Sequence, residues 1–287
     1  MSAQKLLLFF IFLGAGAFFL WYQNNQLTVS AYEFSAGPET GSETEKEATK
    51  IKTAKDDSFS IVHLSDLHNK SFGDNNEKLL EKIKSANPDL ILITGDIIDS
   101  HRAGSDQALN LIRGLKGQGP VYFVSGNHEK WCGTYPALQA ELRSAGVVIL
   151  DNETVLLENQ AGRKIFLAGI SDPDFSSLEE WQADLKFLSL AAENYFSVLL
   201  SHRSERFSDY VAAGFDLSLV GHAHGGQWRL PVVGGFVAPN QGLFPKYDSG
   251  RYQKVTSTML VSRGLGNSVM PLRLFNLPEI ISVQINF

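Results

Sequence analysis

One cysteine stands among 287 residues. Neither an intramolecular disulfide nor a cysteine-rich zinc site is open to such a chain. Positive charge is also short: 25 Lys and Arg face 31 Asp and Glu, a formal net charge of −6. A surface that grips nucleic acid by its phosphates needs the opposite balance, so no nucleic-acid partner is expected. Glycine and proline are at ordinary levels, 25 and 10. With 44% apolar and 20% charged residues, that excludes a collagen-like or disordered chain. No internal repeat is present, and the length is ample for a full hydrophobic core.

What is there begins with one apolar run, residues 6–22, which follows Lys5 and ends in Trp21-Tyr22. At ~1.5 Å per residue it spans roughly 25 Å, enough for a single membrane helix whose ends snorkel. The Trp-Tyr pair suits the interfacial aromatic belt. Lys5 precedes the run and no Lys or Arg follows until Lys46. That asymmetry keeps residues 1–5 cytoplasmic and sends the rest across the cell membrane to its outer side. The reading is an uncleaved signal-anchor; its competitor is a signal peptide cut at Val29-Ser30-Ala31. No cysteine follows the run and no Arg pair precedes it, which excludes a lipoprotein and a twin-arginine signal. Residues 35–58 are almost wholly small or polar and read as a flexible linker. As a coil it would hold the domain roughly 25–30 Å from the membrane.

From residue 59 to 287 the pattern is α/β. Short β-branched runs at 60–64, 90–94, 121–125, 164–170, 197–201 and 217–220 read as buried strands. Two more fall at 257–262 and 280–285. Helical spacing appears at 75–86, where Asn75 or Asn76 can cap, and at 105–116, 135–144, 178–192 and 204–213. Helices between buried strands imply a layered domain.

Five motifs sit just after strands: Asp66-Leu67-His68, Gly95-Asp96-Ile97-Ile98-Asp99, Gly126-Asn127-His128-Glu129, His202, and Gly221-His222-Ala223-His224. Carboxyl ends of neighbouring strands share one sheet edge, where α/β proteins place their sites. The gathered Asp, His and Asn side chains form a nitrogen and oxygen ligand set without sulfur. It is too rich in imidazole for Ca²⁺ or Mg²⁺ and suits Mn, Fe or Zn. There are too many ligands for one ion. Two divalent ions sharing a carboxylate would lie about 3.5–4 Å apart and turn a bridging water into hydroxide near neutral pH. The remaining histidines, His63 and His101, read as structural. Glu129 reads equally well as a loop residue or a functional one.

This ordered string resembles the calcineurin-like metallophosphoesterases, from Ile61 to the C-terminus. The resemblance implies a four-layer αββα sandwich of two mixed sheets. It implies a phosphodiesterase or pyrophosphatase that uses a metal-bridging hydroxide. Asp66, His68, Asp96 and His224 would hold one ion, and Asp96, Asn127, His202 and His222 the other. His128 would be the acid, hydrogen-bonded and oriented by Asp99. Protein phosphatases of the superfamily carry Arg after the second Asp of the second motif, where this chain has Ser100. Residues 225–231 and 261–266 are instead similar to the membrane-associated bacterial branch, which includes enzymes cleaving UDP-2,3-diacylglucosamine. A lipid-linked or nucleotide-sugar substrate is therefore implied, with Arg203 or Arg263 to hold its phosphate. The rivals are a monoesterase or protein phosphatase on soluble substrates and an inactive surface scaffold. The scaffold requires lost ligands, and none is missing. Phe236, Leu243, Phe244, Leu272, Leu274 and Phe275 read as core beneath loops, or else as a rim admitting a lipid tail.

Overall fold

The computed structural model describes residues 3–36, 57–102, 104–192 and 194–287. Its elements in chain order are α1 (Ala3–Asn25), β1 (Thr28–Ser35), β2 (Ser58–Leu64), α2 (Glu77–Ala86), β3 (Leu90–Thr94), α3 (Asp106–Gly114), β4 (Val121–Val124), α4 (Asn127–Trp131) and α5 (Tyr135–Ser144). There follow β5 (Val148–Ile149), β6 (Glu153–Glu158), β7 (Lys164–Gly169), α6 (Leu178–Ser189), β8 (Phe196–Arg203), α7 (Phe207–Ala213) and β9 (Leu217–Gly221). Two short ladders pair β10 (Arg229–Leu230) with β11 (Gly234–Gly235), and β12 (Val237–Ala238) with β13 (Gly242–Leu243). The chain closes with β14 (Gly250–Lys254), β15 (Ser257–Val261) and β16 (Glu279–Asn286).

Two six-stranded sheets form, in orders β1-β16-β2-β3-β4-β5 and β14-β15-β9-β8-β7-β6. Both are mixed: β2 to β5 and β7 to β9 run parallel, while β16 against β2 and β6 against β7 are antiparallel. Strand alternation explains the layers. Side chains point to opposite faces at successive positions, so a strand apolar throughout feeds two cores. Ile61, Leu92 and Val124 of the first sheet meet Leu167, Leu200 and Leu219 of the second in a core between the sheets. Val62, Ile93 and Phe123 turn the other way, onto Leu79, Ile112 and Leu142 of α2, α3 and α5. Ala168, Leu199 and Val220 pack on Trp181 and Tyr210 of α6 and α7. The result is helix, sheet, sheet, helix, the expected four layers. Each fully buried Leu or Ile contributes about 1.5–3 kcal/mol by leaving water.

Three expectations change. The fold does not begin at residue 59: β1 is an edge strand, parallel to β16 from Thr28↔Glu279 to Ser35↔Asn286. Its alternating pattern was hidden because the residues facing solvent are as small and polar as a spacer. Of the expected linker, residues 37–56 lie outside the described residues. Its ends are placed, Ser35 closing β1 and Ser58 opening β2. Only Gln26 and Leu27 separate α1 from the sheet, so no spacer stands between helix and domain. The Val29-Ser30-Ala31 site lies inside a paired strand. Helix α2 starts at Glu77, and Asn76 takes a left-handed backbone without capping through its side chain, because its Oδ1 accepts from Phe72 N at 3.0 Å. Finally, Leu243, Phe244, Leu272 and Phe275 are exposed and not core, while Phe236 and Leu274 are half-buried.

His63 is wholly buried in β2, with Nε2 2.7 Å from Thr94 Oγ1. Burial pushes its pKa down to about 3. The unfolded imidazole binds a proton near pH 6.5, so the unfolded state holds more protons between those values. Stability therefore rises with pH through that window, by up to about 1.4 kcal/mol per unit, and is lost as pH falls. Denaturant unfolding from pH 7 to 5 should show a smaller loss for His63→Gln than for the native chain. Parallel losses would refute this source.

Candidate metal centre

The loops after β2, β3, β4 and β9 and the last residues of β8, which include His202, meet at one end of the two sheets. Asp66, His68, Asp96, His222 and His224 all adopt left-handed backbone, with φ between 48° and 68°. Such a conformation costs about 1–3 kcal/mol at a residue with a Cβ. Five instances among seven candidate ligands mark a place where packing forces the backbone for the sake of side-chain aim. Two glycines make the crowding possible. A Cβ on Gly126 would collide with the Asp96 carboxylate, and one on Gly221 with Asp66.

Asp96 lies at the middle. Its Oδ1 accepts from His128 N at 2.8 Å, while its Oδ2 faces His202 Nε2 at 3.1 Å and His68 Nε2 at 3.6 Å. On one side Asp66, His68 and His224 bring ligand atoms together, with His224 Nε2 3.3 Å from Asp66 Oδ1. On the other, Asp96, His202 and His222 converge. Each side contains two imidazole nitrogens facing each other: His68 Nε2 and His224 Nε2 at 3.1 Å, His222 Nδ1 and His202 Nε2 at 3.2 Å. Lone pairs held so close repel unless a cation draws them in. Asn127 Oδ1 is buried with no hydrogen-bond partner among the described residues. These observations fit divalent ions on both sides of Asp96.

The His202 tautomer follows from what lies behind it. Its Nδ1 donates to Thr94 O at 2.7 Å, which leaves Nε2 facing inward as a lone-pair donor, as ligation requires. His222 Nε2 stands between Asn240 Oδ1 at 3.2 Å and Arg203 Nη1 at 3.3 Å. Burial, then His224, holds His68 well below the ordinary histidine range; burial, then Arg203, does so for His222. Burial lowers His202 too, but Asp96 and Asp66 outweigh it and its pKa is pushed up to about 10. A cation between these groups takes the place of that proton.

His128 is the second residue of α4, its ring edge-on to His68 at 4.5 Å between centroids. Its Nδ1 accepts from Ser100 N at 2.9 Å. A backbone N–H can only donate, so the neutral ring carries its proton on Nε2. Asp99 was expected to make this hydrogen bond, but its Oδ1 stays 3.6 Å away. Its oxygens are engaged elsewhere, by His101 N at 2.8 Å and Arg102 Nε at 3.4 Å.

Neither expected phosphate arginine is free. Arg203 is buried and forks onto Asp172 at 2.6 and 2.8 Å, with Nη1 3.3 Å from His222 Nε2. Arg263 pairs with Glu279 at 3.0 Å. Their surroundings fit bracing. The arginine beside the site is Arg102, half exposed, donating to His68 O at 3.4 Å. His101, read as structural, stands exposed with its ring 5.8 Å from that of His128. Glu129 resolves to a clamp: its carboxylate accepts from Gly126 N and Asp96 N at 2.7 Å and from Ile97 N at 3.0 Å, tying two motif loops together. Ser100, Asn240 and Asp172 carry no motif and could not be found by spacing.

A family model described as calcineurin-like phosphoesterase matches residues 59–226. The metallophosphoesterase YkuE of Bacillus subtilis is 30% identical over 237 residues, 78% of each chain. The phosphodiesterase YaeI of Escherichia coli is 28% identical over 237 residues, 79% of this chain and 82% of that one. A bovine transmembrane protein with a metallophosphoesterase domain is 28% identical over 237 residues, 78% of this chain and 52% of its own. Five motifs closing on one centre, within that match, make the chain a member of the calcineurin-like phosphoesterases, metal-dependent hydrolases of phosphoester bonds.

Proposed function

We propose that the chain hydrolyses phosphodiester or pyrophosphate bonds with two divalent ions of the Mn, Fe or Zn class. The observation that carries this is the pair of ligand groups on either side of Asp96, whose Oδ2 faces a histidine of each. When bound, two such ions activate water and offset the charge that develops on phosphoryl oxygens. Asp66, His68 and His224 hold one; Asn127, His202 and His222 hold the other; Asp96 lies between them. His128 hands the proton on its Nε2 to the departing oxygen. A relative named as a phosphodiesterase supports the diester reading.

We read the chain as single-pass in the cell membrane, N-terminus cytoplasmic and domain outside. Helix α1 is 23 residues long, and Leu7, Phe12 and Phe18 are exposed along it. Lys5 before it and the lack of Lys and Arg until Lys46 support the orientation. A relative named as a transmembrane protein supports the membrane.

Metal analysis of the purified full chain should find two ions, and Asp96→Asn should lower that to fewer than one. Unchanged stoichiometry would refute the shared ligand. Chelation should abolish hydrolysis of bis(p-nitrophenyl) phosphate, with Mn²⁺ restoring it. His128→Ala should keep both ions and lose roughly 100-fold or more in kcat. Full activity in that variant would remove His128 from the chemistry.

A further inference from the structure

The last turn of α1 is built into the domain. Gln23 and Asn24 are buried. Asn24 Oδ1 accepts from Arg273 N at 3.0 Å and Asn267 Nδ2 at 2.9 Å, and Gln23 Oε1 accepts from Asn276 N at 3.3 Å. Phe19 rests on Phe275, ring centroids 5.6 Å apart. Between this turn and the domain lies a cavity of about 350 Å³, whose lining includes Leu20, Trp21, Asn24, Lys70, Arg102 and Leu272.

The cavity has two chemistries. Leu20, Trp21 and Leu272 form an apolar wall, and Trp21 and Leu272 are exposed. That wall continues the apolar surface of α1. The other wall is cationic. Lys70 Nζ donates to Asn24 O, and among the described residues no carboxylate lies within ion-pair distance of it. Arg273 is wholly buried and hydrogen-bonds to oxygens of Gly266, Asn267 and Asn276, none a carboxylate. Of the cations here, Lys70 and Arg102 line the cavity, and among the described residues Asp99 is the one carboxylate within ion-pair distance of either, so an anion between them would complete the pairing. Arg102 also links the cavity to the metal centre, because it contacts both Asp99 and the His68 carbonyl.

We propose that this cavity binds the oxyanion head of a membrane amphiphile, its acyl portion against Trp21 and Leu272 and its phosphate on Lys70 and Arg102. The substrate is then a lipid phosphoester drawn from the bilayer, and the anchor helix is part of its binding site. Two observations select a lipid over a soluble anion: the apolar wall is continuous with the exposed apolar surface of α1, a helix long and apolar enough to cross a membrane, and the wall facing it carries Lys70 and Arg102. The substrate assignment rests on the phosphoesterase reading above; the binding site does not.

The test is equilibrium binding to the metal-loaded full chain in maltoside micelles, read by isothermal calorimetry. The probes are dioctanoyl phosphatidic acid, dioctanoylglycerol and inorganic phosphate. Phosphatidic acid should bind at least tenfold more tightly than either of the others. Lys70→Gln should weaken it about tenfold with two ions still bound, and Arg102→Gln should weaken it in the same sense. Equal binding of inorganic phosphate would make this a free-anion site and overturn the lipid. Unchanged affinity for phosphatidic acid in both variants would overturn the site itself. Hydrolysis of bis(p-nitrophenyl) phosphate by the native chain, measured alongside, tells a failure of this proposal from a failure of the phosphoesterase reading.

Discussion

The Asp96 carboxylate is the point on which the active end of the molecule depends. One oxygen is occupied by the amide of His128, and the other looks toward His68 and His202. That division joins the candidate acid and both ligand groups through a single side chain. It is held by Glu129, whose carboxylate takes amides from both the Asp96 and Gly126 loops. Burial and the neighbouring Asp96 push the Glu129 pKa up to about 8, and the backbone donors work against that rise. The clamp therefore brings two acidic groups close inside the protein, which is tolerable only because amides and cations surround them.

Aim is obtained at the expense of backbone comfort. Five ligand-bearing residues are left-handed, and the surrounding sheets supply the burial that makes this affordable. Of the candidate ligands the described helices contribute only Asn127, with the candidate acid His128 beside it in α4. They bury the sheets, and the sheets position the loops. The division of labour is the one expected of a layered α/β fold.

The N-terminal helix belongs to this end of the molecule as well. Asn24 and Gln23 reach the segment 267–276, and Asn276 Nδ2 in turn donates to the carbonyls of His224 at 2.7 Å and Gln227 at 3.0 Å. Helix α1 is thus two hydrogen-bonded steps from the candidate ligand His224.

Read alone, the chain discloses the strands that are apolar on both faces, the order of the motifs and the candidate ligands. Each of these is local: a strand reads out over a few residues, and a ligand's chemistry travels with its type. Tertiary structure alone decided the rest. The edge strand β1 is stabilised by a partner some 250 positions away, with half its side chains in solvent, so its pattern carries little local signal. The partner of His128 is a backbone amide, Ser100 N, and amides are invisible to residue type. Arg203 and Arg102 differ not in chemistry but in which carboxylates reach them first: Asp172 closes on one, while the other keeps half its surface in water. Long-range contacts like these depend on where the chain returns to itself, and that is settled only when the two sheets pack.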